Sequence, residues 1–272
     1  MRNSAMTSPI PMKITEHIDA LQREGRLLAA AATQAELDTP ILMCPDWRMR
    51  DLVRHVGGVH RWATGYVGDR RTEMWDVDLD DVVGTWPDDR DLIDWFREGH
   101  TSLVHTLASA PPDLNCFTFL AAPSPLAMWA RRQAHETAIH RVDAESSGST
   151  ITEFQPAFAA DGVDELLSCF VTRPHRGPKA SSLCSIYVHA TDTGDDWHLQ
   201  IGPEAVVTSH RGGPADCTIT AAAGDLYLLL WNRRSDAGIG VEGDRDLLAL
   251  WRKGAQVSWK KPRSFTPETA RS

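Results

Sequence analysis

The stretch CPDWRMRDLVRHVGGVHRW, residues 44–62, contains the pattern that decides the fold of the first half of the chain. A helix is predicted to begin after Trp47 and to run to about Val67, because apolar residues recur at helical spacing. These apolar residues are Leu52, Val56, Val59 and Ala63. His55 lies on the same stripe, so its side chain is predicted to face the domain interior. His60, five residues on, is rotated by roughly 140° and is expected to converge with it less well.

Gly57 and Gly58 lie inside this predicted helix, where glycine costs stability. Two explanations remain open at the level of sequence. Either a neighbouring helix packs closely here, or the glycines leave room for a ligand beside His55.

Three further helices are predicted around this one. Their expected bounds are about 14–33, 88–108 and 124–145, with a long loop over 69–87. Ser124 is a good N-cap, and Pro125 is tolerated at the first helical position. Four long helices with these connections predict an up-down bundle with one longer crossover.

The second half of the chain changes character after residues 146–150. Apolar and alternating runs predict an α+β pattern, with a hairpin turn at Thr193-Gly194-Asp195-Asp196. The predicted helices cover 157–171, 225–231 and 244–251, and the predicted strands cover 183–190, 197–201, 205–209 and 217–221. The predicted organisation is a disordered lead-in at 1–12, a helical bundle at 13–148 and an α+β domain at 152–258, with a loose tail from Lys260.

Composition excludes several classes of protein. The 272 residues include 28 Lys and Arg against 37 Asp and Glu, a net charge of −9, so the basic footprint of a nucleic-acid-binding protein is missing. No apolar run of about 18 residues predicts a membrane span, and the start of the chain has no apolar secretory segment. The five cysteines are odd in number and widely spaced, which disfavours a disulfide framework or a CxxC site. A soluble cytoplasmic protein is expected.

The strongest chemical signal is AHETAIH, residues 134–140. It is not the HExxH pattern of zinc proteases, because the second histidine comes four residues after Glu136. Glu136 and His140 are spaced i, i+4 and share a helix face, whereas His135 is rotated by about 100°.

A third ligand would come from another helix, with His55 favoured over His60. Two histidines and one carboxylate would leave positions open on Zn²⁺, Fe²⁺, Mn²⁺ or Co²⁺, as in catalytic sites. The alternative is a buried His–Glu pair without a metal.

Three segments carry a family resemblance. Residues 44–62 and RRQAHETAIHRVDAE, residues 131–145, resemble the two N-terminal motifs of mycothiol-dependent maleylpyruvate isomerase-like proteins, and GDLYLLLWNR, residues 224–233, resembles their C-terminal domain. The resemblance covers roughly residues 14–255. It implies a DinB-like four-helix bundle followed by a small α+β domain of sterol-carrier type.

The resemblance also implies site residues and cofactors. The family's metal ligands correspond to His55, Glu136 and His140, with zinc the expected divalent metal and mycothiol the expected thiol. Metal coordination deprotonates a thiol and makes it nucleophilic. The arginine implicated in the isomerase corresponds best to Arg233, although Arg234 adjoins it. Arg131 and Arg132 are either ligands for substrate or thiol carboxylates, or helix-surface charges.

Two thiol-dependent reactions follow from the resemblance. The favoured prediction is S-transfer to a small electrophilic metabolite or biosynthetic intermediate. The alternative is thiol-dependent cis–trans isomerisation of a maleylpyruvate-like acid. A non-catalytic metal- or thiol-sensing module and a lipid carrier are rivals from other classes. The expected partners are the small thiol and the electrophile, with no nucleic acid or membrane, in a monomer or small homo-oligomer.

Overall fold

The computed structural model describes residues 12–148 and 150–255, and these form two compact units. The bundle unit comprises the described residues of 13–152, and the sheet unit comprises residues 153–255. Residues 1–11 of the predicted lead-in and the predicted loose tail from Lys260 lie outside the described residues.

Four long helices build the bundle unit. They are α1 (Ile14–Gln34), α2 (Met49–Gly68), α4 (Leu92–Ser109) and α5 (Pro125–Glu145). The predicted loop over 69–87 also contains a short helix, α3 (Leu79–Val83), which its polar sequence did not indicate. A 3₁₀ turn, Asp89–Asp91, precedes α4, so this helix begins a few residues later than predicted.

Local capping explains where α2 and α5 begin. The Ser124 hydroxyl accepts a hydrogen bond from the Ala127 amide at 3.2 Å, and Pro125 occupies the first helical position. At the start of α2, the Arg48 amide donates to the Asp51 carboxylate at 2.9 Å. Both caps satisfy amides that would otherwise have no partner within the helix.

Helix α5 is buried along almost its whole length, although its sequence is strongly polar. It packs along α1, and α2 packs against both α4 and α5. Ion pairs offset the cost of burying its charges. Arg141, for example, pairs with Glu24 of α1 at 2.8 Å and with Glu145 at 2.7 Å.

Close helix packing explains Gly57. A Cβ atom at this position would lie 2.2 Å from the Trp95 ring of α4, so only glycine lets the two helices approach this closely. At Gly58 a Cβ atom would meet Leu79 and Trp86 at 3.2 and 3.3 Å. The structure therefore supports the packing explanation for Gly57.

The sheet unit contains a five-stranded sheet in the order β3-β2-β1-β4-β5. The strands are β1 (Cys184–Ala190), β2 (Asp196–Ile201), β3 (Val206–Ser209), β4 (Cys217–Ala221) and β5 (Gly240–Gly243). The helices are α6 (Pro156–Asp164), which continues into a π-helical turn at Glu165–Phe170, α7 (Ala223–Leu230) and α8 (Asp246–Gly254). Strands β1 and β4 are parallel, and the other neighbours are antiparallel.

The strands of the sheet unit match those predicted from the sequence, except for β5 at one edge of the sheet. Ile186, Val188 and Ala190 are buried on one face of β1, and the β1–β2 turn contains Gly194 with φ of 77°. Strand β5 was not predicted, because GVEG is short, glycine-containing and without apolar alternation. Its pairing with β4 places it in the sheet. Among the described residues, no helix has the length and apolarity needed to cross a membrane.

Candidate metal centre

Three side chains from two helices converge inside the bundle unit. His55 comes from α2, and Glu136 and His140 lie one turn apart on α5. Glu136 Oε1 lies 3.4 Å from His55 Nε2 and 3.3 Å from His140 Nε2. One ligand atom from each residue lies within 4.8 Å of the other two.

This donor set fits a divalent metal ion. Two imidazoles and a carboxylate suit zinc and related transition metals. Donor atoms about 2.0–2.1 Å from a tetrahedral zinc ion lie roughly 3.3 Å apart, which matches the two distances to Glu136 Oε1. The side chains are 5%, 12% and 0% exposed for His55, Glu136 and His140, so little solvent competes for them.

The pKa shifts of Glu136 and His55 favour metal binding, whereas at His140 a metal ion would have to displace a proton. Burial by itself disfavours the Glu136 carboxylate, but hydrogen bonds with His140 and His55 and the charge of Arg132 hold its pKa well below the usual value. Burial and the nearby His140 lower the pKa of His55, despite its bond to Glu136. Burial opposes the charged form of His140 as well, yet bonds with Asp143 and Glu136 raise its pKa. Glu136 is therefore ionised and His55 neutral at neutral pH.

Further side chains surround the three residues. Arg132 Nη2 lies 3.2 Å from Glu136 Oε2, and Asp143 Oδ2 lies 2.9 Å from His140 Nδ1. The Trp47 ring packs edge-on against His55 with 5.0 Å between ring centres, and it stacks on His140 at 6.3 Å. Sequence reasoning did not single out Trp47 or Asp143 for this site. The i, i+3 spacing of Asp143 from His140 could have identified Asp143 as a neighbour of the site. Trp47 lies in a connection, where no periodic spacing indicates its position.

The other candidate histidines lie apart from this cluster. His60 is buried, and its Nε2 lies 2.9 Å from the Thr137 hydroxyl instead of facing Glu136. His135 is also buried, with its ring centre 6.1 Å from that of His17. The structure brings together the trio that the resemblance implied and not these two histidines.

The candidate arginines are placed differently from one another. Arg132 is buried and paired with Glu136, whereas Arg131 is only half-buried. Arg233 belongs to the sheet unit, where it lies three residues beyond the end of α7. It is 9% exposed and donates from Nη1 to the Trp231 carbonyl at 2.9 Å. The adjoining Arg234 forms a short ion pair with Asp225.

The helical bundle with its His–Glu–His cluster, followed by a small sheet domain, defines a class of two-domain proteins, and sequence comparison specifies the family. The profile described as "Mycothiol maleylpyruvate isomerase N-terminal domain" matches residues 18–145, and the "MDMPI C-terminal domain" profile matches residues 157–250. The chain belongs to the mycothiol-dependent maleylpyruvate isomerase-like family, as its motifs predicted. None of the curated proteins matches the sequence significantly.

Solved structures agree with this architecture. The crystal structure of a mycothiol-dependent maleylpyruvate isomerase has a TM-score of 0.59 and 11% identity, over 87% of this chain and 96% of that chain. A histidine-to-alanine mutant of such an isomerase has a TM-score of 0.60, with the same identity and coverage. The predicted fold class, a four-helix bundle followed by a small α+β domain, is confirmed.

Proposed function

We propose that this protein is a metal-dependent enzyme that uses mycothiol to isomerise a maleylpyruvate-like unsaturated acid between its cis and trans forms. The observation that carries the proposal is the convergence of His55, Glu136 and His140 in a chain of this family. S-transfer, favoured from the sequence, has less support, because the family and the similar structures are named for the isomerase.

The three side chains are suited to hold a divalent ion with positions left open. When bound, the metal supplies a Lewis acid that keeps the sulfur of a thiol deprotonated at neutral pH. Glu136 contributes its negative charge through Oε1, while Arg132 pairs with Oε2. Trp47 packs against both histidine rings and places an apolar surface beside them.

The arginines are proposed to bind the carboxylate groups of the substrate or the thiol. Arg233 would pair with the substrate carboxylate or with negative charge that develops on its oxygen, a contact that strengthens in the transition state. Its bond to the Trp231 carbonyl restricts the guanidinium. Arg131 remains a proposed contact for a carboxylate of the thiol or substrate. Arg132 is the weaker candidate for that role, because it already pairs with Glu136.

The test is an isomerisation assay with purified protein, zinc, mycothiol and maleylpyruvate. Turnover is expected only when zinc and mycothiol are both present. The His55→Ala variant should lose bound metal and turnover, whereas His60→Gln, a buried histidine on the same helix, should retain its metal. Equal turnover with and without mycothiol would contradict the proposal, and so would full metal content in His55→Ala.

Mass spectrometry of the same reactions separates the alternatives. A stable adduct of mycothiol with the acceptor would indicate S-transfer instead of isomerisation. Stoichiometric zinc binding without turnover of unsaturated acids or other electrophiles would favour a sensing module.

A further inference from the structure

Helix α5 places a second carboxylate behind His140. Asp143 Oδ2 lies 2.9 Å from His140 Nδ1, and both side chains are 0% exposed. The opposite ring nitrogen, Nε2, lies 3.3 Å from Glu136 Oε1. The imidazole thus lies between two carboxylates, one on each side of the ring.

The two contacts differ in length, and the shorter one, to Asp143, indicates which nitrogen keeps its proton when the other binds a metal. A carboxylate accepts hydrogen bonds, so Asp143 favours a proton on His140 Nδ1. A ring with its proton on Nδ1 presents the lone pair of Nε2, and the protonated nitrogen of a metal-binding histidine commonly donates to such a carboxylate.

We propose that Asp143 is a positioning residue that holds His140 in the Nδ1-protonated form and makes Nε2 the metal-binding atom. The proposal rests on the proposed metal centre and adds to it a residue that touches no metal. Asp143 is three residues from His140 on α5, so helix geometry alone keeps the carboxylate beside the ring.

The other proposed ligand on α5, Glu136, likewise has a partner on the same helix, Arg132. Arg132 Nη2 lies 3.2 Å from Glu136 Oε2, while Oε1 faces both histidines. Arg132, Glu136, His140 and Asp143 follow one another at spacings of four, four and three residues, which places them along one helix face. One rigid helix therefore carries two ligands together with the partner of each.

The first experiment measures zinc affinity by competition with a chromogenic chelator. Asp143→Asn keeps the size of the side chain but removes its charge and allows the amide to donate to Nδ1. This variant is expected to bind zinc about 10- to 100-fold more weakly than the wild type. Glu24→Gln is the matched control, because Glu24 is an equally buried carboxylate whose ion pairs are with Arg23 and Arg141. It should bind zinc like the wild type.

A second measurement does not depend on whether the variant folds. Histidine-ring ¹⁵N NMR of the zinc-loaded wild-type protein should show His140 protonated at Nδ1 and metal-bound at Nε2. A proton on Nε2, or equal zinc affinity of Asp143→Asn and wild type, would overturn the role of Asp143 while leaving the metal centre intact. A wild-type protein that binds no zinc would overturn the metal centre itself, and the role of Asp143 with it.

Discussion

His100 illustrates how strongly single residues in the bundle unit depend on their packing. Its ring stacks on Phe96 with 6.0 Å between centres and lies 5.3 Å from the His60 ring. A Cβ atom on Gly25 would lie 2.2 Å from it, so glycine makes room for the imidazole. Burial lowers the pKa of His100 to about 4. The hydrogen bond with the Gln22 backbone opposes this shift, and the charge of Arg26 adds a smaller lowering effect.

This shift predicts loss of stability in acid. The unfolded chain binds a proton at His100 near pH 6.5, whereas the folded chain does so only near pH 4. The stability linked to neutral His100 is therefore complete above pH 6.5 and is lost as the pH falls towards 4. Between pH 7.5 and 5.0, the wild type should lose about 2 kcal/mol more than His100→Gln in urea unfolding.

The exposed His105 on the same helix provides the control for this measurement. His105→Gln should show the same dependence on pH as the wild type. If His100→Gln also follows the wild-type curve, the buried ring is not the source of the acid sensitivity.

At the scale of the elements, the contact between α2 and α4 depends on Gly57. The Trp95 ring occupies the position that a side chain would take, and the Arg61 guanidinium lies 3.7 Å from the centre of that ring. Arg61 also donates to the Trp95 carbonyl at 2.9 Å. The position of Trp95 is thus set by α2 on two sides.

Gly57→Ala is expected to destabilise the protein although alanine favours helix. The new methyl group must displace an aromatic ring, and such overpacking costs about 1–3 kcal/mol. Gly68→Ala is the matched control at the end of the same helix, where a Cβ atom would meet only Thr106 at 3.8 Å. Chemical denaturation should show a lower midpoint for Gly57→Ala alone. Equal midpoints for the two variants would refute the packing role of Gly57.

At the scale of the whole molecule, the proposed metal ligands all lie in the bundle unit, and the sheet unit contains Arg233. Binding of an ion that requires the folded bundle stabilises that unit by mass action. At zinc concentrations near 100 times the Kd, the gain is about 2.7 kcal/mol.

Hydrogen exchange measured by mass spectrometry can identify the elements that zinc binding stabilises. Zinc should slow amide exchange most in Met49–Gly68 and Pro125–Glu145, the two helices that carry the ligands. The strands between Cys184 and Ala221 should change less, and His55→Ala should remove the effect. Protection confined to the strands would show that the ion binds elsewhere.

Much of the fold could be predicted from the sequence, because helix periodicity, strand alternation and capping depend on residues that are close together in the chain. Apolar spacing and the Ser124-Pro125 cap were enough to predict the four long helices, and alternation predicted four of the five described strands. The i, i+4 spacing likewise put Glu136 and His140 on one face. Strand β5 could not be predicted, since its four residues become a strand only by pairing with β4.

The sequence by itself determined the four long helices, four of the described strands, the family and two side chains on one helix face. Only the tertiary structure decided that His55 faces Glu136, while His60 forms a hydrogen bond with Thr137. It also decided that the Trp95 ring packs against Gly57. Finally, it decided that Arg132 is buried against a carboxylate. The reason is geometric. Helix periodicity relates residues three or four apart, whereas His55 and Glu136 are 81 residues apart, and their separation depends on how two helices pack.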